Sequence, residues 1–97
     1  MNRMADKASV RVIVRGRVQG VYFRDFTRRK AAELALSGYV KNLSDGRSVE
    51  VYAEGKKESL EELVSHLKIG PTGAVVEEIT TGYGDYTDNY SSFYIKY

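Results

Sequence analysis

The apolar residues of this chain switch between a period of two and a helical period, and the order of those switches constrains the fold more than any other feature. Ser9 to Gly16 places Val10, Val12 and Val14 on one face and Arg11 and Arg15 on the other, the pattern of a half-buried strand. From Val21 to Ser37 the period lengthens, and Phe23, Phe26, Thr27, Ala31 and Leu34 share a helical face. Lys30 interrupts that stripe and carries its ammonium outward on its long stem. Gly38 stands where a helix C-cap belongs. Tyr39 to Leu43 reads as a second strand, Ser44-Asp45-Gly46 as a turn, and Ser48 to Glu54 as a third strand ended by Gly55. Leu60, Leu63, Val64 and Leu67 form the stripe of an amphipathic helix, which Gly70-Pro71-Thr72-Gly73 breaks. Val75 to Tyr83 makes a fourth strand. Ser92 to Tyr97 makes a short last one, with Phe93, Ile95 and Tyr97 alternating.

This order, β-α-β-β-α-β with a short final strand, predicts an α+β chain folded as a ferredoxin-like α/β sandwich. Two helices cover one face of a mainly antiparallel sheet. A right-handed crossover makes the first two strands parallel, so their C-terminal ends share one edge of the sheet. With the third strand between them their axes lie about 10 Å apart. Side chains from both ends can therefore meet around a small ligand, and that edge is the expected site.

Composition removes several chemistries. The 97 residues contain no cysteine and one histidine, His66. That excludes a disulfide framework, a thiolate nucleophile, a Cys-based metal site and any site needing two histidines. No apolar run approaches the roughly 18 residues of a membrane span. Met1 to Ala8 is polar and lacks a signal-peptide core. The expectation is a soluble, cytoplasmic chain with a flexible extension over residues 1–8 and one domain over 9–97. Charge is unevenly spread: residues 1–30 hold nine Lys or Arg against two acids, and the remainder six against eleven. A basic first third points to an anionic partner.

Gly16-Arg17-Val18-Gln19-Gly20 joins the first strand to the first helix. Such a loop can aim several backbone N–H groups at one point, reinforced by the positive end of the helix dipole. Arg24 stands in the first turn, where the dipole disfavours a cation. A bound anion resolves that conflict, and a guanidinium grips phosphate oxygens in bidentate fashion. Read alone, the glycines serve equally as turn residues and Arg24 as a solvated charge. Asn42, of a type depleted in strands, lies at the same edge. Its amide either orients a substrate oxygen or a water, or caps a turn.

Taken together, Gly16-Arg17-Val18-Gln19-Gly20-Val21-Tyr22-Phe23-Arg24 resembles the first signature of the acylphosphatases, and Gly38-Tyr39-Val40-Lys41-Asn42, continuing to Asp45-Gly46 and ending at Gly55, resembles the second. The resemblance runs from about Ser9 through Gly70-Pro71 to Phe93-x-Ile95-x-Tyr97. It implies hydrolysis of acyl phosphates to a carboxylate and inorganic phosphate, with no metal and no cofactor. It also implies that Arg24 binds the phosphoryl group, that Asn42 positions the attacking water, and that the backbone of Gly16, Arg17, Val18, Gln19, Gly20, Val21 and Tyr22 cradles the phosphoryl oxygens. The implied partners are a small acyl phosphate and inorganic phosphate or a similar anion, with no nucleic acid and no membrane, bound by a monomer. One departure stands out: Arg47 and Ser48 separate Gly46 from Val49, where the family pattern has one residue. A longer turn or a bulge in the third strand is expected there.

The chemistry tolerates so sparse a set of groups. Phosphoryl transfer is catalysed mainly by positioning and electrostatics, and a carboxylate leaves without a general acid. A single-stranded nucleic acid reader is the competing reading for this element order, but Ser48–Glu54 lacks the Gly-aromatic pattern and carries two glutamates. An acylphosphatase-like module of a larger enzyme is a third reading; the chain shows no linker, which favours a stand-alone protein. His66 is expected half-exposed without a role, Asp25 and Glu33 as solvated charges, and Tyr83, Tyr86, Tyr90 and Tyr94 as surface and edge tyrosines.

Overall fold

A computed structural model describes residues 6–97. It contains β1 (Lys7–Arg17), α1 (Phe23–Glu33), β2 (Ser37–Asn42), β3 (Ser48–Lys56), α2 (Lys57–Ile69), β4 (Val75–Gly84) and β5 (Phe93–Ile95). The five strands form one sheet in the order β4-β1-β3-β2-β5. β3 runs antiparallel to both β1 and β2, β4 antiparallel to β1, and β5 parallel to β2. β1 and β2 are therefore parallel to each other with β3 between them, and their C-terminal ends share an edge as expected.

Alternation builds the core. Val10, Val12 and Val14 of β1 and Val49, Val51 and Ala53 of β3 are fully buried beneath the helices, which contribute Phe23, Ala31, Leu60, Leu63 and Leu67. The opposite face of the sheet carries Arg11, Tyr39, Glu50 and Tyr52 in one hydrogen-bonded and stacked group. Tyr90 folds back onto Tyr39 and Tyr52, with ring centroids 6.1 and 5.5 Å away.

Three boundaries differ from those expected. α1 ends at Glu33 rather than running to Ser37. Leu36 N–H donates to the Ala31 carbonyl and Ala35 N–H to the Ala32 carbonyl, a Schellman closure with Ala35 left-handed at φ 57°. Gly38, expected as the cap, lies inside β2, where a Cβ would sit 1.9 Å from the Tyr52 carbonyl oxygen. The glycine admits close approach of two strands. Third, β3 continues through Gly55 to Lys56 and passes directly into α2. Part of the extension expected over 1–8 lies outside the described residues; Lys7 and Ala8 already belong to β1, and Ala8 is buried.

The extra residue at Arg47-Ser48 is absorbed in the turn. β3 keeps one register against β1 and β2 from Ser48 onward, without a bulge. The Asp45 carboxylate accepts from Arg47 N–H at 2.9 Å, Ser48 N–H at 2.9 Å and Ser48 Oγ at 2.6 Å, which shapes the longer turn. The irregularity falls instead between β1 and β4 at Arg15/Gly16.

Candidate active site

Strand alternation and one uncapped helix end assemble a cavity of about 370 Å³ at the expected edge. Val40 of β2 and Ile95 of β5 point toward the helices. Asn42 and Tyr97 lie two residues further along the same two faces. They therefore emerge past the core, beside the start of α1. The lining comprises Val18, Gly20, Tyr22, Phe23, Arg24, Asp25, Asn42, Ile95 and Tyr97.

Tyr22 holds the N-cap position of α1 in a left-handed conformation (φ 61°, ψ 24°) and supplies no side-chain cap. A non-glycine residue there costs about 1 kcal/mol, a strain of the kind stored at functional sites. Gly20 also has positive φ, at 75°. Alternating left- and right-handed residues turn successive N–H groups to one side, a concave geometry able to receive an anion. Among the described residues, the backbone N–H groups of Val18 to Tyr22 find no acceptor in the protein. The first N–H groups of an α-helix are unpaired by construction, and here they add to the same concavity.

The predicted loop divides in two. Gly16 and Arg17 lie in β1, not in the loop proper. Gly16 N–H is engaged with the Arg47 carbonyl at 2.9 Å, and a Cβ on Gly16 would meet the Val75 carbonyl oxygen at 2.2 Å. Its glycine serves a close strand contact, and its N–H is not available to an anion. Val18 is buried and anchors the loop; Val21 packs against the core. Gln19 directs its side chain away from the cavity lining into the β2–β3 turn.

Arg24 and Asn42 are brought together on the cavity wall. Arg24 makes no ion pair among the described residues. Its guanidinium lies 4.9 Å from the centroid of the Tyr97 ring, a cation–π contact that leaves its N–H edge open. Asn42 Oδ1 is buried without a hydrogen-bond partner, a condition that costs about 1–3 kcal/mol until a donor reaches it. Asp25, expected as a purely solvated charge, lines the cavity and binds Arg28 and Arg29 at 2.9 and 3.0 Å. Those guanidinium contacts hold its carboxyl below the usual aspartate value. Tyr97 had no assigned role from sequence; its place on the Phe93-Ile95-Tyr97 face was the available signal. His66 sits half-exposed on α2, away from the cavity. Among the described residues no cluster of three or more His, Cys, Asp or Glu is arranged to hold a metal ion, and no helix is long and apolar enough to cross a membrane.

Comparison with known proteins places this geometry. The acylphosphatase family model matches residues 10–95. A curated acylphosphatase from Dehalococcoides mccartyi is 53% identical over 88 residues, covering 91% of this chain and 97% of its own length. One from Methanococcoides burtonii is 47% identical over 96 residues, 99% of each chain. The solved structure of an acylphosphatase from Coxiella burnetii superposes with a TM-score of 0.91 at 38% identity, covering 99% of both chains. Identity at this level across almost the whole length, with the same sheet and helices, means that this chain belongs to the acylphosphatase family.

Proposed function

We propose that this chain hydrolyses the carboxyl–phosphate bond of acyl phosphates, holding the phosphoryl group on the Val18–Tyr22 backbone and the Arg24 guanidinium while Asn42 aligns the attacking water. The observation that carries this reading is the orphaned Oδ1 of Asn42 on the same wall as Arg24. A buried acceptor without a donor is what a nucleophilic water requires. By accepting one water hydrogen, Oδ1 directs an oxygen lone pair at phosphorus.

In the reaction the water oxygen bonds to phosphorus, the bond from phosphorus to the acyl oxygen breaks, and its electron pair leaves with the carboxylate. Charge grows on the equatorial phosphoryl oxygens, where the N–H groups, the helix terminus and Arg24 are already oriented. The water proton passes to a phosphoryl oxygen. Asp25 is a poor acceptor for it, because Arg28 and Arg29 stabilise its ionised form.

The test is hydrolysis of benzoyl phosphate, followed by loss of ultraviolet absorbance with EDTA present. Arg24→Ala is expected to lower kcat/KM by at least about 100-fold and to weaken inhibition by inorganic phosphate in parallel. Asn42→Ala is expected to lose turnover by a similar factor while phosphate still binds competitively. Unchanged steady-state constants for Arg24→Ala would refute the assignment.

A further inference from the structure

Gln19 lies in the middle of the anion loop, yet its half-buried side chain turns away from the cavity lining. Nε2 donates to the Leu43 carbonyl at 2.9 Å and to the Ser48 carbonyl at 2.8 Å. Both partners are acceptors, so only the NH2 end of the amide fits there. Leu43 follows Asn42 directly, and Leu43 N–H closes the hairpin on the same Ser48 carbonyl at 2.9 Å. The Gly16 N–H bond to Arg47 attaches the end of β1, just before the loop, to the same turn. Loop and turn thus form one bonded unit, and the turn holds the extra residue that the family pattern lacks.

From this arrangement we infer that Gln19 is a positioning residue, whose two hydrogen bonds set the distance between phosphoryl groups held on the loop and the water held by Asn42. The inference rests on the reading of the cavity as a phosphoryl-transfer site. It assigns different consequences to the two halves of the site. The loop N–H groups and Arg24 bind phosphate whether or not the turn is braced. In-line attack requires the loop and Asn42 in register, and a misplacement on the order of 1 Å costs about 100-fold in rate.

The experiment compares wild type with Gln19→Met, which keeps the length and removes both donors, and with Gln19→Glu. In the Glu variant a carboxylate opposes two carbonyl oxygens, and protonation restores one O–H donor. Expected for Gln19→Met is a fall in kcat of at least about tenfold, with the inhibition constant for inorganic phosphate within about threefold of wild type. Expected for Gln19→Glu is a kcat that recovers relative to Gln19→Met as pH falls. Asp45 in the turn, Arg15 and Arg47 beside it, and Arg24 and Asp25 at the cavity are common to both variants, so a pH effect acting through them is shared by both. Arg24→Ala is run alongside. If Arg24→Ala is inactive while Gln19→Met turns over like wild type, the positioning role is overturned and the site reading stands. If Arg24→Ala is unimpaired, the site reading fails first. A phosphate constant that worsens as much as kcat, a flat ratio for Gln19→Glu, or failure of both variants to fold would mark the bonds as a requirement of the fold and overturn the inference.

Discussion

Glu54 carries a carboxylate at 1% exposure, and its charge must be answered locally. It accepts from Tyr52 Oη at 2.5 Å, Thr87 Oγ1 at 2.6 Å, Thr87 N–H at 3.1 Å and Asp88 N–H at 3.0 Å. Burial pushes its carboxyl up, and the bonds from Thr87, Tyr52 and Asp88 outweigh burial, so the net displacement is below the ordinary 4.5. A carboxyl depressed by folding adds stability above its unfolded value, and that stability is lost as pH falls through the folded value. Glu54→Gln is therefore expected to destabilise the protein at pH 7 by about 2 kcal/mol, with the gap from wild type closing as pH falls below the ordinary 4.5 toward the depressed folded value. Urea unfolding at several pH values measures it; a gap independent of pH would show that the charge is not what matters. Strand alternation predicts that Glu50, Tyr52 and Glu54 share one face. It does not predict that the loop after β4 returns over that face, because Thr87 and Asp88 are 33 and 34 residues away and no local period reports such a contact. The same return buries part of Tyr90 against Tyr39 and Tyr52, one of the tyrosines the sequence assigns simply to the surface.

Both ends of α1 depart from ordinary capping, for different reasons. The start is uncapped, with strained Tyr22 leaving N–H groups open beside the cavity. The signal for that end was legible: two glycines, an Arg in the first turn and no Ser, Thr or Asp where a cap belongs. The far end was not, because Gly38 offered a more conventional stop than Ala35. Gly38 is needed three residues later, against the Tyr52 carbonyl, and the helix closes early on an alanine instead. Leu36 is buried at 4% exposure in the position where a Schellman closure places its apolar contact. Left-handed alanine costs about 1–2 kcal/mol; a glycine relieves that strain, but its greater chain entropy in the unfolded state offsets roughly half of the gain. Ala35→Gly is expected to stabilise the protein by about 0.5–1 kcal/mol, read as a higher urea midpoint at unchanged slope. A lowered midpoint would mean that the alanine methyl makes a contact worth more than the strain.

At the scale of the molecule, sheet topology and charge distribution act on the same edge. Parallel β1 and β2 deliver the Val18–Tyr22 loop and Asn42 side by side, which is why the element order alone pointed to the edge where the cavity lies. What it could not locate was the division of labour inside the loop, since whether Gly16 N–H is free or engaged depends on the turn beyond Asn42. The chain segment that builds this edge is also the basic one, with nine Lys or Arg against two acids in residues 1–30. The described residues measure 42 × 22 × 22 Å. At 0.01 M salt the screening length is about 30 Å, longer than the short axes, so an approaching acyl phosphate meets the field of the whole molecule, net +2, together with that of the basic groups at the cavity. Near 1 M it is about 3 Å, and only the groups lining the cavity remain felt. Between those limits kcat/KM for benzoyl phosphate is expected to fall several-fold, while kcat stays nearly constant because the bound phosphoryl group is shielded from salt. Potassium chloride and potassium acetate should give the same slope. Different slopes would indicate that the added anion competes for the loop, and an equal fall in kcat would place the salt effect on the chemical step instead of on encounter.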